Sequence, residues 1–132
     1  MTIKEHIAYW RTLAERDLGV ARDFLAAQKN LHYCLYFGHM SLEKLLKGLV
    51  VQATGKTPPK IHNLLILAEK AQLPLDDEKH KLLDLFNSFN LEARYPDYKL
   101  SFYRKCTPSF TREQMRLVEE VYQWLETKFQ SL

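Results

Sequence analysis

Six small or apolar residues recur on one side of residues 31 to 49, and their spacing restricts what the chain can fold into. They follow one another at alternating intervals of four and three: Leu31, Leu35, Gly38, Leu42, Leu45 and Leu49. Residues three and four apart lie on one face of an α-helix, so the pattern predicts a long helix that begins near Asn30, a suitable N-cap. Other helices must cover this apolar face, and Gly38 would let one of them approach closely.

The rest of the chain shows the same periodicity, interrupted by helix breaks. Gly55 and the prolines of T-G-K-T-P-P-K end the second helix, because glycine suits a helix C-cap and proline cannot continue a helix. Pro96 ends a later one. The predicted helices cover residues 3 to about 27, 30 to about 53, 62 to 72, 76 to shortly before 96, and 111 onward, with Asp76 as an N-cap and Thr111 opening a T-R-E-Q capping box with Gln114.

The composition agrees with an all-helical chain. Of 132 residues, 46% are hydrophobic and only four are glycine, and the short β-branched runs typical of strands are absent. The length suits one globular domain with a core of its own. We therefore predict one domain over residues 1–132, an all-α, up-and-down antiparallel bundle of about five helices, four long and one short.

Charge and cysteine usage predict a soluble, cytoplasmic protein. The net charge of +3 and the pI near 8.8 are compatible with an anionic partner, although they are too mild to indicate nucleic acid alone. Cys34 and Cys106 lie far apart, which favours free thiols in a reducing compartment. No secretory leader is visible, and no apolar run approaches the roughly 20 residues of a membrane-spanning helix.

Two patterns that resemble binding motifs lack essential parts. The G-K-T at residues 55–57 would need a glycine where Val50 stands, with a strand before it, to bind phosphate as a P-loop. His32, His39 and Glu43 share one helix face, but nothing in the sequence completes a set of metal ligands. We therefore predict neither a metal nor a cofactor.

Two polar clusters allow more than one interpretation. Tyr36, His39, Glu43 and Lys47 follow the leucine stripe closely, either as an ordinary polar flank with an i,i+4 ion pair or as the lining of a cleft or dimer surface. The predicted loop at residues 97–108 alternates aromatic and basic side chains. It either stacks bases and holds phosphates or packs over the end of the bundle with its charges in solvent.

Three separated segments carry a family resemblance. S-L-E-K-L-L-K-G-L-V at residues 41–50, P-P-K-I-H-N-L-L-I-L at residues 58–67 and F-N-L-E-A-R-Y-P-D at residues 89–97 together resemble the HEPN domain, named for higher eukaryotes and prokaryotes nucleotide-binding. The resemblance implies a bundle of about five helices, usually a homodimer, in the cytoplasm of a prokaryote. It also implies a minimal nucleotidyltransferase as a partner, often in a toxin–antitoxin pair.

The ribonuclease signature of the family is incomplete in this sequence. Many members cleave RNA without a metal through an arginine followed, after four to six residues, by a histidine. Downstream of Arg94 these positions hold Lys99, Leu100 and Ser101, and no histidine follows His80. The group expected to bind or move protons at the scissile phosphate is therefore missing.

The resemblance nevertheless implies a candidate ligand site. Arg94 would hold a phosphate, Lys47 would add charge and Tyr95 would stack on a base. In another interpretation, Arg94 forms a buried ion pair with Glu43, and His62 approaches both residues. The full predicted set is Glu43, Lys47, His62, Arg94, Tyr95 and Asp97.

Three functions remain open from the sequence. The first is a dimeric module that binds a nucleotide or RNA phosphate and acts with a minimal nucleotidyltransferase, with little or no enzymatic activity. The second is an atypical endoribonuclease toxin that uses Arg94 with His62 or Tyr95. The third is a purely structural dimerisation module.

Overall fold

Six α-helices form the protein in the computed structural model, which describes residues 1–130. No strand occurs within these residues, so the predicted all-α bundle is confirmed, with one short helix more than expected. The helices are α1 (Ile3–Ala27), α2 (Leu31–Thr54), α3 (Leu64–Lys70), α4 (Asp77–Arg94), α5 (Ser101–Lys105) and α6 (Pro108–Glu126).

Helix α2 lies at the centre of the bundle. It packs against α1, α3, α4 and α6, and its leucine stripe is buried as the spacing predicted. Gly38 allows the close approach of α6, since a Cβ there would lie 3.2 Å from Met115 Sδ and 3.4 Å from Val118 Cγ1. The apolar periodicity of α2 therefore determines where its neighbours pack.

Helix α3 is shorter than predicted at both ends. The Asn63 side chain accepts hydrogen bonds from the backbone N–H groups of Leu65 and Ile66, at 3.0 and 3.3 Å, and this cap starts the helix at Leu64. At the other end, Gln72 has a left-handed backbone (φ 57°). His62 consequently lies before the helix, in the segment that connects it to α2.

The region after α4 also differs from the prediction. Residues 101–105, expected to be loop, form α5. Helix α6 begins at Pro108 because the Thr107 hydroxyl accepts from the Phe110 N–H at 3.2 Å and proline suits the first helical position. The predicted start at Thr111 is therefore wrong, and Thr111 is a fully buried residue inside α6.

None of the helices within residues 1–130 combines the length and apolar character needed to cross a membrane.

Candidate functional site

The predicted site residues separate into two groups in the structure. Glu43, Lys47 and His62 form a network between α2 and the segment before α3, in which Glu43 and Lys47 are buried and His62 is half-exposed. Arg94 and Tyr95 lie exposed where α4 ends. The two groups have different surroundings and offer different chemistry.

The buried network centres on the Glu43 carboxylate. Its side chain is 1% exposed, and its two oxygens accept hydrogen bonds from Lys47 Nζ at 3.0 Å and from His62 Nδ1 at 2.8 Å. Lys47 also lies over the ring of Trp10, with Nζ 5.5 Å from the ring centroid. The pair with Lys47 lies within α2, whereas the half-exposed His62 connects the segment before α3 to α2.

His39 extends this network to α4. Its Nε2 lies 2.9 Å from the His62 carbonyl oxygen, which can only accept, so Nε2 carries the proton. The other ring nitrogen, Nδ1, is then free to accept from the Asn90 amide, 3.5 Å away. Burial lowers the pKa of His39 to about 4. The imidazole is therefore neutral at pH 7 and serves as a structural link.

Asn87 fixes the start of α3 on the same part of α4. Its side-chain oxygen accepts from the Leu64 N–H at 2.8 Å, and its side-chain N–H donates to Asn63 Oδ1 at 3.1 Å. Asparagine on an exposed helix face is common, so sequence reasoning did not detect this contact. Together with the contact between Asn90 and His39, these hydrogen bonds determine which part of α4 packs against the segment around His62.

The predicted ion pair between Arg94 and Glu43 does not form. Arg94 is exposed, and its guanidinium carbon lies 5.5 Å from the centroid of the Tyr95 ring. It follows Asn87 by seven residues, which is about 10 Å along a helix axis. Asn90, the network residue of α4 nearest to Arg94, lies one turn before it, and the carboxylate that Arg94 was expected to bind is already paired with Lys47 and His62.

A cleft of about 400 Å³ lies beside Arg94, between the end of α4 and the first turns of α2. Two tyrosines of α2 form its other wall. The lining contains no acidic residue and consists of Tyr33, Tyr36, Ala93, Arg94 and Tyr95. We call it the Arg94 cleft. Tyr33 was missed by sequence reasoning, although its spacing of three from Tyr36 places both rings on one helix face.

Asp97 has a local structural role. Its carboxylate accepts from the Ser101 N–H at 2.8 Å and from Ser101 Oγ at 2.7 Å, which fixes the start of α5. These hydrogen bonds hold the pKa of Asp97 below its usual range. Asp97 does not line the Arg94 cleft.

Other candidate groups of the sequence have structural surroundings. Gly55 is the C-cap of α2, with φ 70°. Burial raises the pKa of Cys34 to about 12 and that of Cys106 to about 11, so both remain thiols rather than nucleophiles. In the described part of the chain, no three His, Cys, Asp or Glu side chains are grouped to hold a metal ion.

Comparisons with known proteins agree with the resemblance drawn from the sequence. A crystal structure described as that of an archaeal HEPN homologue is similar to the chain, with a TM-score of 0.65 over 93% of this chain and 97% of that one. The two sequences are 22% identical, so this likeness supports the fold alone. Curated proteins give no match. The sequence model of the HEPN domain matches residues 7–128, and the chain therefore belongs to the HEPN domain family.

Proposed function

We propose that this HEPN protein binds the phosphate of a nucleotide or of RNA in the Arg94 cleft, and that it has little or no catalytic activity. The observation that carries the proposal is an exposed guanidinium beside an aromatic cleft without a carboxylate in its lining. No ion pair within residues 1–130 engages Arg94. Its five N–H donors therefore remain available to a phosphate.

The tyrosines supply the second half of the recognition. Tyr33 and Tyr95 are 45% and 68% exposed, so their rings can stack on a base without rearrangement of the core. Stacking on aromatic rings tolerates every base because each base has a π-face. The cleft therefore suits nucleotides as a class more than one particular base.

The structure gives less support to an endoribonuclease that combines Arg94 with His62. The His62 Nδ1 is held by the Glu43 carboxylate at 2.8 Å, and His62 does not line the Arg94 cleft. General acid–base catalysis needs the proton-transfer group within hydrogen-bond reach of the reacting atom. Because His62 is not among the residues that line the Arg94 cleft, its ring is not placed to contact a phosphate bound there.

The third function, a structural module, is compatible with the proposal. The Glu43 network locks α2 against α3 and α4, whereas the Arg94 cleft is a separate, open surface. A protein that is only a scaffold should show the same melting temperature with and without nucleotides. A ligand that prefers the folded state must raise it.

We also propose a homodimer that acts with a minimal nucleotidyltransferase in a toxin–antitoxin-like pair, in the cytoplasm of a prokaryote. Family membership supports this proposal. The two free, buried cysteines are consistent with a reducing compartment. Co-expression with a candidate nucleotidyltransferase, followed by size-exclusion chromatography with light scattering, would test both assemblies.

The binding proposal is tested by titrating nucleotides into matched arginine variants. Arg94→Gln removes the guanidinium of the cleft, and Arg16→Gln removes an exposed guanidinium of α1 that forms no ion pair within residues 1–130. Calorimetry with UMP should show at least a tenfold weaker affinity for Arg94→Gln, equivalent to about 1.4 kcal/mol, and no comparable change for Arg16→Gln. Equal affinities in the two variants would contradict the proposal.

A further inference from the structure

A second basic cleft lies beside the first, on the other side of the α2 N-terminus. It has a volume of about 490 Å³, and its lining includes Lys29, His32, Tyr103 and Arg104. Lys29 lies in the turn between α1 and α2, and His32 lies in the first turn of α2. Tyr103 and Arg104 belong to α5. We call it the Arg104 cleft.

The residues that line the Arg104 cleft include no acidic side chain. Neither Lys29 nor Arg104 takes part in an ion pair within residues 1–130. The groove between α1 and α6 differs, because its Arg11 is paired with Glu126 at 2.5 Å. The first turn of α2 carries no acidic residue either, so its partial positive charge adds to that of the cleft.

A continuous series of aromatic rings connects the two clefts. The Tyr103 and His32 rings meet edge to face, with their centroids 5.1 Å apart. The His32 and Tyr33 centroids are 4.1 Å apart, and Tyr33 lines the Arg94 cleft. The protein surface therefore offers a basic group, a series of rings and a second basic group, without a carboxylate in the lining of either cleft.

We propose that the two clefts are subsites of one track that binds a single-stranded nucleic acid, with Arg94 and Arg104 on different phosphates and the rings between them stacked on bases. The inference rests on the proposed function of the Arg94 cleft. It goes further because it makes the Arg104 cleft a second phosphate subsite, and because it makes an oligonucleotide, rather than a mononucleotide, the preferred ligand. Positive grooves with interspersed aromatic rings are the general means of binding single strands.

The track requires affinity to depend on strand length. UMP can occupy only one subsite, whereas a longer oligouridylate reaches both arginines and the rings between them. Each phosphate contact of a single strand adds roughly 0.7 to the slope of log affinity against log salt concentration. The salt dependence should therefore be steeper for the oligonucleotide than for UMP.

The experiment is a fluorescence-polarisation titration of the full chain with fluorescein-labelled oligouridylates of increasing length, with unlabelled UMP measured by calorimetry. Arg104→Gln should weaken binding of the longer strands about tenfold, and Arg94→Gln should weaken binding of both the longer strands and UMP. Tyr103→Ala should weaken the affinity for the longer strands by a similar factor, as expected for the loss of one stacked base. Tyr103→Phe keeps the ring and should bind as the wild type does, and Arg16→Gln is the charge-matched control.

The outcomes separate this inference from the function on which it rests. If Arg104→Gln binds long strands as Arg16→Gln does while Arg94→Gln weakens UMP binding, the second subsite is refuted and the Arg94 cleft stands. If the wild type binds neither UMP nor any oligonucleotide, both proposals fail. Binding of polyglutamate as tightly as oligouridylate, with no effect of Tyr103→Ala, would assign the surface to an acidic protein partner and overturn the track. Circular dichroism melts confirm that each variant folds.

Discussion

Glu43 is the more deeply buried of the two carboxylates in the predicted site, the other being Asp97. It is 1% exposed and is the partner of the Lys47 ammonium, which is also buried. Removing one member of a buried pair leaves the other charge without compensation. Glu43→Gln should therefore lower the free energy of unfolding by about 3 kcal/mol, measured by urea denaturation at pH 7.

A surface pair provides the control for this prediction. Glu113 and Arg116 interact in solvent on α6, where water and salt screen such a pair and it contributes little to stability. Glu113→Gln should accordingly have little effect. Adding Lys47→Met to Glu43→Gln should recover part of the lost stability, since no unpaired charge remains. A loss in Glu43→Gln no larger than that in Glu113→Gln would show that the network does not brace the bundle.

His39 makes the free energy of unfolding depend on pH. Its pKa is lowered from 6.5 to about 4 by burial, so the unfolded chain takes up a proton at a higher pH than the folded chain does. The stabilising effect is complete above pH 6.5 and is lost as the pH falls towards 4, by roughly 3 kcal/mol in all. Urea denaturation at pH 7.5 and 4.5 should show this loss in the wild type.

The variant His39→Gln isolates the contribution of this imidazole from that of other titrating groups. It should be less stable than the wild type at pH 7.5, because a buried, hydrogen-bonded ring is removed. Between pH 7.5 and 4.5, however, the variant should lose roughly 2 to 3 kcal/mol less stability than the wild type does. An unchanged pH dependence would refute the assignment of a neutral, buried His39.

At the scale of the helix, the start of α6 shows that a local capping motif alone does not determine the residue at which a helix begins. Thr107 and Thr111 both precede suitable helical sequence, but the Thr107 hydroxyl accepts the Phe110 N–H. The Thr111 hydroxyl is buried beside the Cys106 thiol and accepts from no backbone N–H within residues 1–130. The same substitution should therefore have different effects: Thr107→Val should cost about 1 kcal/mol, and Thr111→Val less than about 0.5 kcal/mol. Thermal denaturation of both variants would distinguish the caps, and equal losses would contradict the assignment.

Helix α4 shows why the two groups of site residues could not be separated from the sequence. Periodicity predicted its extent, its Asp76 cap and its end before Pro96 correctly. It contained no information on which turn of α4 meets the start of α3. The packing of this segment against α4 depends on the side-chain contacts of Asn87 and Asn90 across helices, and His62 does not line the Arg94 cleft.

At the scale of the whole molecule, spacing and motifs predicted more of the fold than of the site. The leucine stripe and the helix breaks predicted the all-α bundle, and the three quoted segments identified the HEPN family, which the match over residues 7–128 confirms. The Arg94 cleft is formed by residues about 60 positions apart in the sequence, Tyr33 and Arg94 among them. Its composition became visible only when α2 and α4 were placed side by side.

The location of the bound ligand tests the central claim most directly. Two-dimensional ¹H–¹⁵N spectra of the labelled protein, recorded while a short oligouridylate is added, report which backbone amides change their surroundings. We predict that the shifts concentrate at Tyr33, Tyr36 and residues 93–95, extend to Tyr103 and Arg104, and spare Glu43 and Lys47. Shifts confined to the groove between α1 and α6, or no shifts at all, would contradict the proposed function.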